Sequence, residues 1–326
     1  MILGSLKFLR LNFSLTAIDK IFIPKNLKGN IFRGAFGLNF KKLYCQSKEI
    51  CIDRCMDSNC LYKRIFEPSL PADIAPSGLK NIPRPFIFTH TYEEREIIYP
   101  GESFNIGINI FGWAVEHYNE FIKTIEEIGK EGIGPLRGKF LLRNVYSMDG
   151  ENNKKIIYDK NGMIKNPVSF GFTNNFKPVS TQFKIIFNTP TKIIYDAKPI
   201  YNPDFYHIFS RLRDRISSIS YFHNNTDLEE NYRALEEDSM NVKTLTSRWN
   251  FVEVRRRSSR TKQLQDLSGI VGYGIYDFLT LDRAEMFYPW IKIGELVNVG
   301  KNSVWGMGEI RSDFNLDLKR RNINLC

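Results

Sequence analysis

Four cysteines, Cys45, Cys51, Cys55 and Cys60, crowd into one stretch with the spacing C-x5-C-x3-C-x4-C. Four thiolates can complete a tetrahedral zinc site. The paired C-x2-C knuckles of common zinc sites are missing, so an iron–sulfur cluster and a reduced loop of incidental thiols stay open beside zinc. Under each reading the role is structural, pinning the loop after the first helix. A second kind of chemistry is set by charge. Lys243 to Lys262 holds Arg248, Arg255, Arg256, Arg257 and Arg260 against the single acid Glu253, with Trp249 and Phe251 among the cations. Cations that neutralise a phosphate backbone, with rings for bases to stack on, are what single-stranded RNA requires. The C-terminal run Gly300-Lys301-Asn302-Ser303-Val304-Trp305-Gly306-Met307-Gly308 reads two ways. Its glycines let backbone N–H groups approach a phosphate beside Lys301, or they are small residues in a tight turn. The Walker spacing is absent, which argues against nucleoside triphosphates.

Acid–base groups are sparse. Of the four histidines, His223 follows Leu212, Ile216 and Ile219 at helical spacing and so ends an apolar stripe. His207 shares a stripe with Arg211 and Arg215 that reads as a phosphate-facing surface. Along 30–44, Arg33, Gly37, Lys41 and Tyr44 form a basic stripe opposite the apolar stripe Phe32, Phe36, Phe40 and Leu43. That stripe is either an RNA contact or a solvated helix face. Neither a carboxylate cluster for two-metal phosphoryl transfer nor a Gly-x-Ser-x-Gly elbow occurs, so RNA cleavage by this chain would proceed without a catalytic metal.

The elements that position these groups follow from periodicity. Strands are expected at 6–15, 86–89, 103–111 and 139–146. Helices are expected at 30–44 and at 113–128, the second closed by Gly129. Strand, helix, strand, strand, helix, strand is the ferredoxin-like order. A polar connection at 149–166 leads to a looser repeat of that order. It comprises a strand at 183–188, a helix at 203–222, strands at 250–255 and 270–278, a short helix within 281–296 and a strand at 304–311. The reading is α+β, with two tandem ferredoxin-like domains, 1–165 and 166–326, antiparallel sheets and a Cys-rich insertion in the first.

The chain has 326 residues, 42% hydrophobic and 13% aromatic, which supplies cores for two domains and excludes global disorder. A net charge of +10 calls for an anionic partner. Lys7 and Arg10 interrupt what would be the apolar core of an N-terminal signal, and no apolar run reaches the ~18 residues of a membrane span. A cytoplasmic protein is expected, for which clustered cysteines point to metal more than to disulfides.

Several stretches together resemble the CRISPR repeat-RNA-processing endoribonucleases of the RAMP superfamily, in particular their cysteine-containing branch. They are Arg33-Gly34-Ala35-Phe36-Gly37, the cysteine segment ending Cys60 to Pro68, Gly112 to Gly134, Phe187 to Lys192, Ser268 to Gly272 and Val299 to Gly308. The resemblance implies an RRM/RAMP-like fold and repeat RNA, or precursor crRNA, as partner. It also implies metal-independent attack of the RNA 2′-hydroxyl, leaving a 2′,3′-cyclic phosphate and a 5′-hydroxyl. On it rest the RNA contacts Arg33, Lys192, Arg255, Arg256, Arg257, Arg260, Gly300, Lys301, Gly306, Gly308 and Arg311. Relatives carry a His after the Arg-Gly-Ala-Phe-Gly run, where this chain has Leu38. The expected acid–base groups are therefore His223, with Lys41 and Tyr44 assisting at the phosphate and leaving group. No catalytic cofactor is expected, only a structural zinc on the cysteines. The alternative is a non-catalytic RAMP-type subunit that holds guide RNA among CRISPR effector-complex subunits. Monomer and homodimer are both compatible with the sequence.

Overall fold

The computed structural model describes residues 5–45, 57, 59–69, 82–89, 95–159, 161–163, 166–172, 178–226, 228, 231–257, 263–314 and 316. It divides into two compact units. Unit 1 comprises Met1–Thr173, Arg215–Leu228 and Asn302–Gly306; unit 2 comprises Asn174–Asp214, Glu229–Lys301 and Met307–Cys326.

Unit 1 carries β1 (Lys7–Ala17), α1 (Lys28–Tyr44), α2 (Leu61–Phe66), β2 (Phe86–Thr89), β3 (Ser103–Phe111), α3 (Tyr118–Glu131), β4 (Phe140–Met148) and β5 (Lys154–Asp159). The strands pair antiparallel in the order β2-β3-β1-β4-β5. Strand one and strand three are thus central, as a ferredoxin-like unit requires. Strict alternation along β1 buries Leu9, Leu11, Phe13 and Leu15 on one face. Onto that face α1 lays Phe32, Phe36 and Phe40, spaced one turn apart and each at most 2% exposed. The sequence misplaces two features here. β5 lies inside the stretch read as a polar connection, because a strand near the margin of the sheet, followed only by the two-residue strand Gly162–Met163, needs only one buried position, Ile157. Helix α3 runs through Gly129 and ends at Gly132, whose φ of 85° makes the turn.

Unit 2 repeats the plan with β6 (Gln182–Thr191), α4 (Phe205–Asn224), α5 (Tyr232–Met240), β7 (Lys243–Val252), β8 (Gly269–Asp277), α6 (Leu281–Val297) and β9 (Ile310–Asp313). From Arg215 onward α4 is grouped with unit 1. The antiparallel order is β7-β8-β6-β9, again with the first and third strands central. Phe183 stacks on Phe278 at 4.0 Å, and Phe205 and Phe209 of α4 meet Phe287 of α6 at 5.1 and 4.7 Å. Offset and edge-to-face rings of this kind form the core between sheet and helices. β7 begins well before the expected 250, and β9 starts only at Ile310. Left-handed backbone at Asn302, Gly306 and Gly308 forbids a strand before it. The chain is thus α+β with tandem ferredoxin-like units. Among the described residues no helix is long and apolar enough to cross a membrane.

Candidate nucleic-acid interface

In unit 1 the basic stripe of α1 is real but partly occupied by aromatic rings. The Arg33 guanidinium lies 4.3 Å from the centre of the Phe66 ring and 5.9 Å from that of Trp305. Lys41 Nζ sits 5.7 Å from the Tyr62 ring. Such contacts hold a cation at a surface without cancelling its charge. Its neighbour Lys42 is committed elsewhere, to Glu127 at 3.1 Å and Glu131 at 2.9 Å. Gly37 belongs to packing: a Cβ there would fall on the Phe66 ring of α2. Leu38, by contrast, stands 72% exposed one turn before Lys41, an apolar side chain on a solvated face. Tyr44 packs against Phe40 at 4.8 Å. Burial, with a smaller effect of the Glu120 charge, pushes its phenol up to about 12. It therefore stays protonated near neutral pH.

His223 sits differently from what a surface base requires. It is 3% exposed, and its Nε2 lies 2.5 Å from the Pro83 carbonyl oxygen. A carbonyl only accepts, so Nε2 carries the proton and Nδ1 the lone pair. Nδ1 is buried without a hydrogen-bond partner among the described residues. Burial first, and the Arg215 charge in addition, lower the imidazole to about 4 against the raising effect of Pro83. His207 is likewise buried, its Nδ1 accepting from the Asp204 amide at 3.2 Å. Arg215, expected to face phosphate on the same stripe, is enclosed, and burial lowers its guanidinium to about 10.

In unit 2 two of the predicted cations pair with carboxylates and a third is held by an amide. Lys192 Nζ lies 2.7 Å from the Asp266 carboxylate, which that bond and Ser268 hold well below the usual carboxylate range. Arg255 pairs with Glu253 at 2.6 Å, and Arg256 Nε donates to Gln265 at 2.9 Å. Both stand on a short ladder, Arg255–Arg257 against Leu264–Asp266. The side chain of Arg257, and Arg260 and Lys262 entirely, lie outside the described residues. Arg311 is exposed on β9.

In the glycine-rich loop several amides are already committed. The amides of Val299, Lys301, Trp305, Gly306 and Gly308 donate to the carbonyls of Gly308, Lys192, Asn302, Ser303 and Pro190. Amides already donating inside the fold do not cradle a phosphate. Gly308 has φ of 72°, and a Cβ there would strike the Val299 carbonyl; at Gly300, φ is 77° and a Cβ would come 2.6 Å from the Lys192 carbonyl. The glycines serve a tight turn, which leaves the Lys301 side chain exposed. Lys192, Gly300 and Lys301 are thereby brought together, and the Lys192–Asp266 pair ties them to the hairpin of Arg255 and Arg256.

Cys45 and Cys60 are free, buried thiols, the first just past α1 and the second capping α2. Cys51 and Cys55 lie outside the described residues. Among the described residues no group of three or more His, Cys, Asp or Glu side chains could hold a metal ion.

One aromatic residue escaped the sequence reading. Trp249 packs inward on Phe187 at 4.7 Å, whereas Tyr273 of β8 faces away from the helices, partly exposed, with Lys184 Nζ 4.1 Å from its ring centre. Residues 270–276 are non-polar on both alternate sets, so periodicity alone carries no signal for it.

The family described as CRISPR-associated endoribonuclease Cas6 matches residues 185–310, and an N-terminal-domain family, AF_1859_N, matches 6–169. Among solved structures, a Cas6 product complex is similar at TM-score 0.58 and 13% identity, covering 94% of this chain and 99% of the other. Thermus thermophilus Cas6 is similar at 0.53 and 13%, covering 94% and 98%. A partial Cas6-RT-Cas1–Cas2 complex reaches 0.58 at 11%, covering 97% of this chain and 48% of the other. No curated protein sequence matches.

Proposed function

We propose that this chain, whose residues 185–310 match the CRISPR-associated endoribonuclease Cas6 family, processes CRISPR precursor RNA by cutting within the repeat. The observation that carries this reading is the family match itself, whose span runs from β6 through the glycine-rich loop to β9. The net charge of +10 suits an RNA partner. In the proposed reaction the RNA 2′-hydroxyl gives up its proton and its oxygen attacks the adjacent phosphorus. The bond from phosphorus to the 5′ oxygen breaks, and that oxygen takes a proton. A 2′,3′-cyclic phosphate and a 5′-hydroxyl result, with no metal ion needed in the step.

Two groups on α1 suit this chemistry. Lys41 supplies a cation for the phosphate, and Tyr44, protonated near neutral pH, supplies a donor toward the leaving oxygen. His223 retains the lone pair a base needs, but its burial makes it a positioning residue beside Pro83. Zinc is proposed on the cysteines, of which Cys45 follows α1 and Cys60 precedes α2.

Leu38 favours a second reading, in which the chain holds repeat RNA without cutting it. An exposed leucine stands where the resemblance places the histidine of the relatives. One experiment separates the two. Labelled repeat RNA is incubated with the protein in EDTA, beside copies carrying a single 2′-deoxy at each candidate position. A discrete cut, abolished by one deoxy substitution, supports the enzyme; tight binding without a cut supports the holding subunit.

A further inference from the structure

Register fixes which side chains share the outer face of the unit 2 sheet. Reading across the strands from β9 to β7, Arg311 lies opposite Ile186, Ile186 opposite Tyr273, and Tyr273 opposite Arg248. The next row is Asp313, Lys184, Ile275 and Thr246. Residues directly opposite in an antiparallel pair project to the same side. The alternate residues Phe183, Ile185, Phe187, Ile270 and Tyr276 are buried toward the helices, so these rows face outward. The Lys184 ammonium over the Tyr273 ring confirms that shared face.

On a central strand, then, a partly exposed phenol ring lies between two arginines in one row. Arg248 is about 5 Å away, one strand spacing, and Arg311 about 10 Å away, two spacings. Ile186, Val271 and Ile275 around it are only partly buried, so the floor is apolar where the rim is cationic. Arg248 makes no ion pair among the described residues, and Asp313 is the acid of the two rows. A lipid surface would meet such a floor with acyl chains, and a folded protein would bring carboxylates. The flat ring with cations one and two strands away fits the repeat of a single-stranded nucleic acid, base then phosphate.

We propose that the outer face of β6, β7, β8 and β9 is a second RNA-binding surface, which takes a single-stranded segment flanking the cut. One base stacks on Tyr273, Arg248 and Arg311 take the phosphates on either side, and Lys184 swings from the ring to a phosphate. The inference rests on the repeat-RNA reading above and adds the place where the unpaired part of that RNA lies.

The test uses the full chain with a repeat RNA made uncleavable by 2′-deoxy substitution, carrying either a single-stranded or a fully base-paired flank. Affinity is read by fluorescence anisotropy at physiological salt. Y273A is expected to weaken binding about ten-fold or more, the size of one lost stack. Y273F should stay within about two-fold, because the ring is kept. Both effects should vanish when the flank is base-paired, and unchanged thermal unfolding of Y273A would verify its fold. If Y273A binds the single-stranded flank as tightly as the parent, the surface is refuted while the cleavage reading stands. Equal loss for paired and unpaired flanks would refute it too. Parental protein that binds neither RNA would overturn the surface together with the function beneath it. If Y273A binds normally but no longer captures another CRISPR protein, the face is a protein-docking surface and the proposal is again overturned.

Discussion

The two units share a strand order and differ on the outer faces of their central strands. In unit 1 those faces carry Phe8, Arg10, Asn12, Ser14 and Thr16 on β1, and Asn105, Gly107, Asn109 and Phe111 on β3, with Phe8, Asn109 and Phe111 buried. Arg10 is bound into the turn after β4, its Nη1 donating to Asn152 Oδ1 at 2.7 Å. Arg143 and Lys154 stand toward the rim, with Arg143 donating to Thr16 at 3.2 Å. In unit 2 the same positions present Lys184 and Ile186 on β6 and Val271, Tyr273 and Ile275 on β8. One scaffold thus carries amides and hydroxyls beside a buried Phe8–Phe111 pair on one copy, and a partly exposed aromatic, aliphatic and cationic face on the other. Backbone topology is insensitive to outward residues, so a duplicated fold can diverge there at little cost in stability.

The largest expected difference between the units lies in backbone tolerance. G308A should cost about 4 kcal/mol, since left-handed backbone strains any Cβ and the Val299 carbonyl cannot retreat. G37A should cost less than about 2 kcal/mol, because only the Phe66 ring must shift and alanine favours the helix. Chemical denaturation of both variants checks the ordering. Next comes pH. The unfolded chain protonates His223 near its ordinary value of 6.5, the folded one only near 4. Stabilisation from this residue is therefore complete above pH 6.5 and falls away as pH drops toward 4, by about 3 kcal/mol in total. The H223L variant should lack that slope in unfolding experiments. A smaller contrast concerns the outer faces. R248A and R311A should each lower the salt dependence of repeat-RNA binding by about one counterion, whereas N12A should leave it unchanged. Smallest is the exposed Lys192–Asp266 pair: D266A should change stability by less than about 1 kcal/mol, and less still at high salt.

Much of the scaffold is legible in the sequence. The spacing of Phe32, Phe36, Phe40 and Leu43, and of Ile208, Leu212, Ile216 and Ile219, specifies two helices, and the structure buries all of these side chains except Leu43, which is 40% exposed. The failures are local. Gly129 resembles a helix end because composition cannot show that Gly132 takes the positive φ. The site is less legible, because it depends on register and on pairing between distant segments. Tyr273 sits in a glycine-broken run, Gly269 to Asp277, and only the pairing of β8 with β6 and β7 shows that it faces outward. Conversely, Lys192 reads as a free cation until Asp266 is brought to it from far along the chain. His223 is the instructive middle case. Its place at the end of an apolar stripe already pointed inward, and the structure buries it.

The most direct test of a division between cutting on α1 and holding on the outer sheet of unit 2 is a pair of measurements on one repeat RNA. Single-turnover cleavage at saturating protein and the dissociation constant would be compared for K41A and Y273A. K41A should slow the saturated cut by about a hundred-fold, as loss of a transition-state cation does, with affinity nearly unchanged. Y273A should weaken affinity about ten-fold and leave the saturated rate intact. If both variants lose the same quantity, or K41A cuts at the parental rate, that division is wrong.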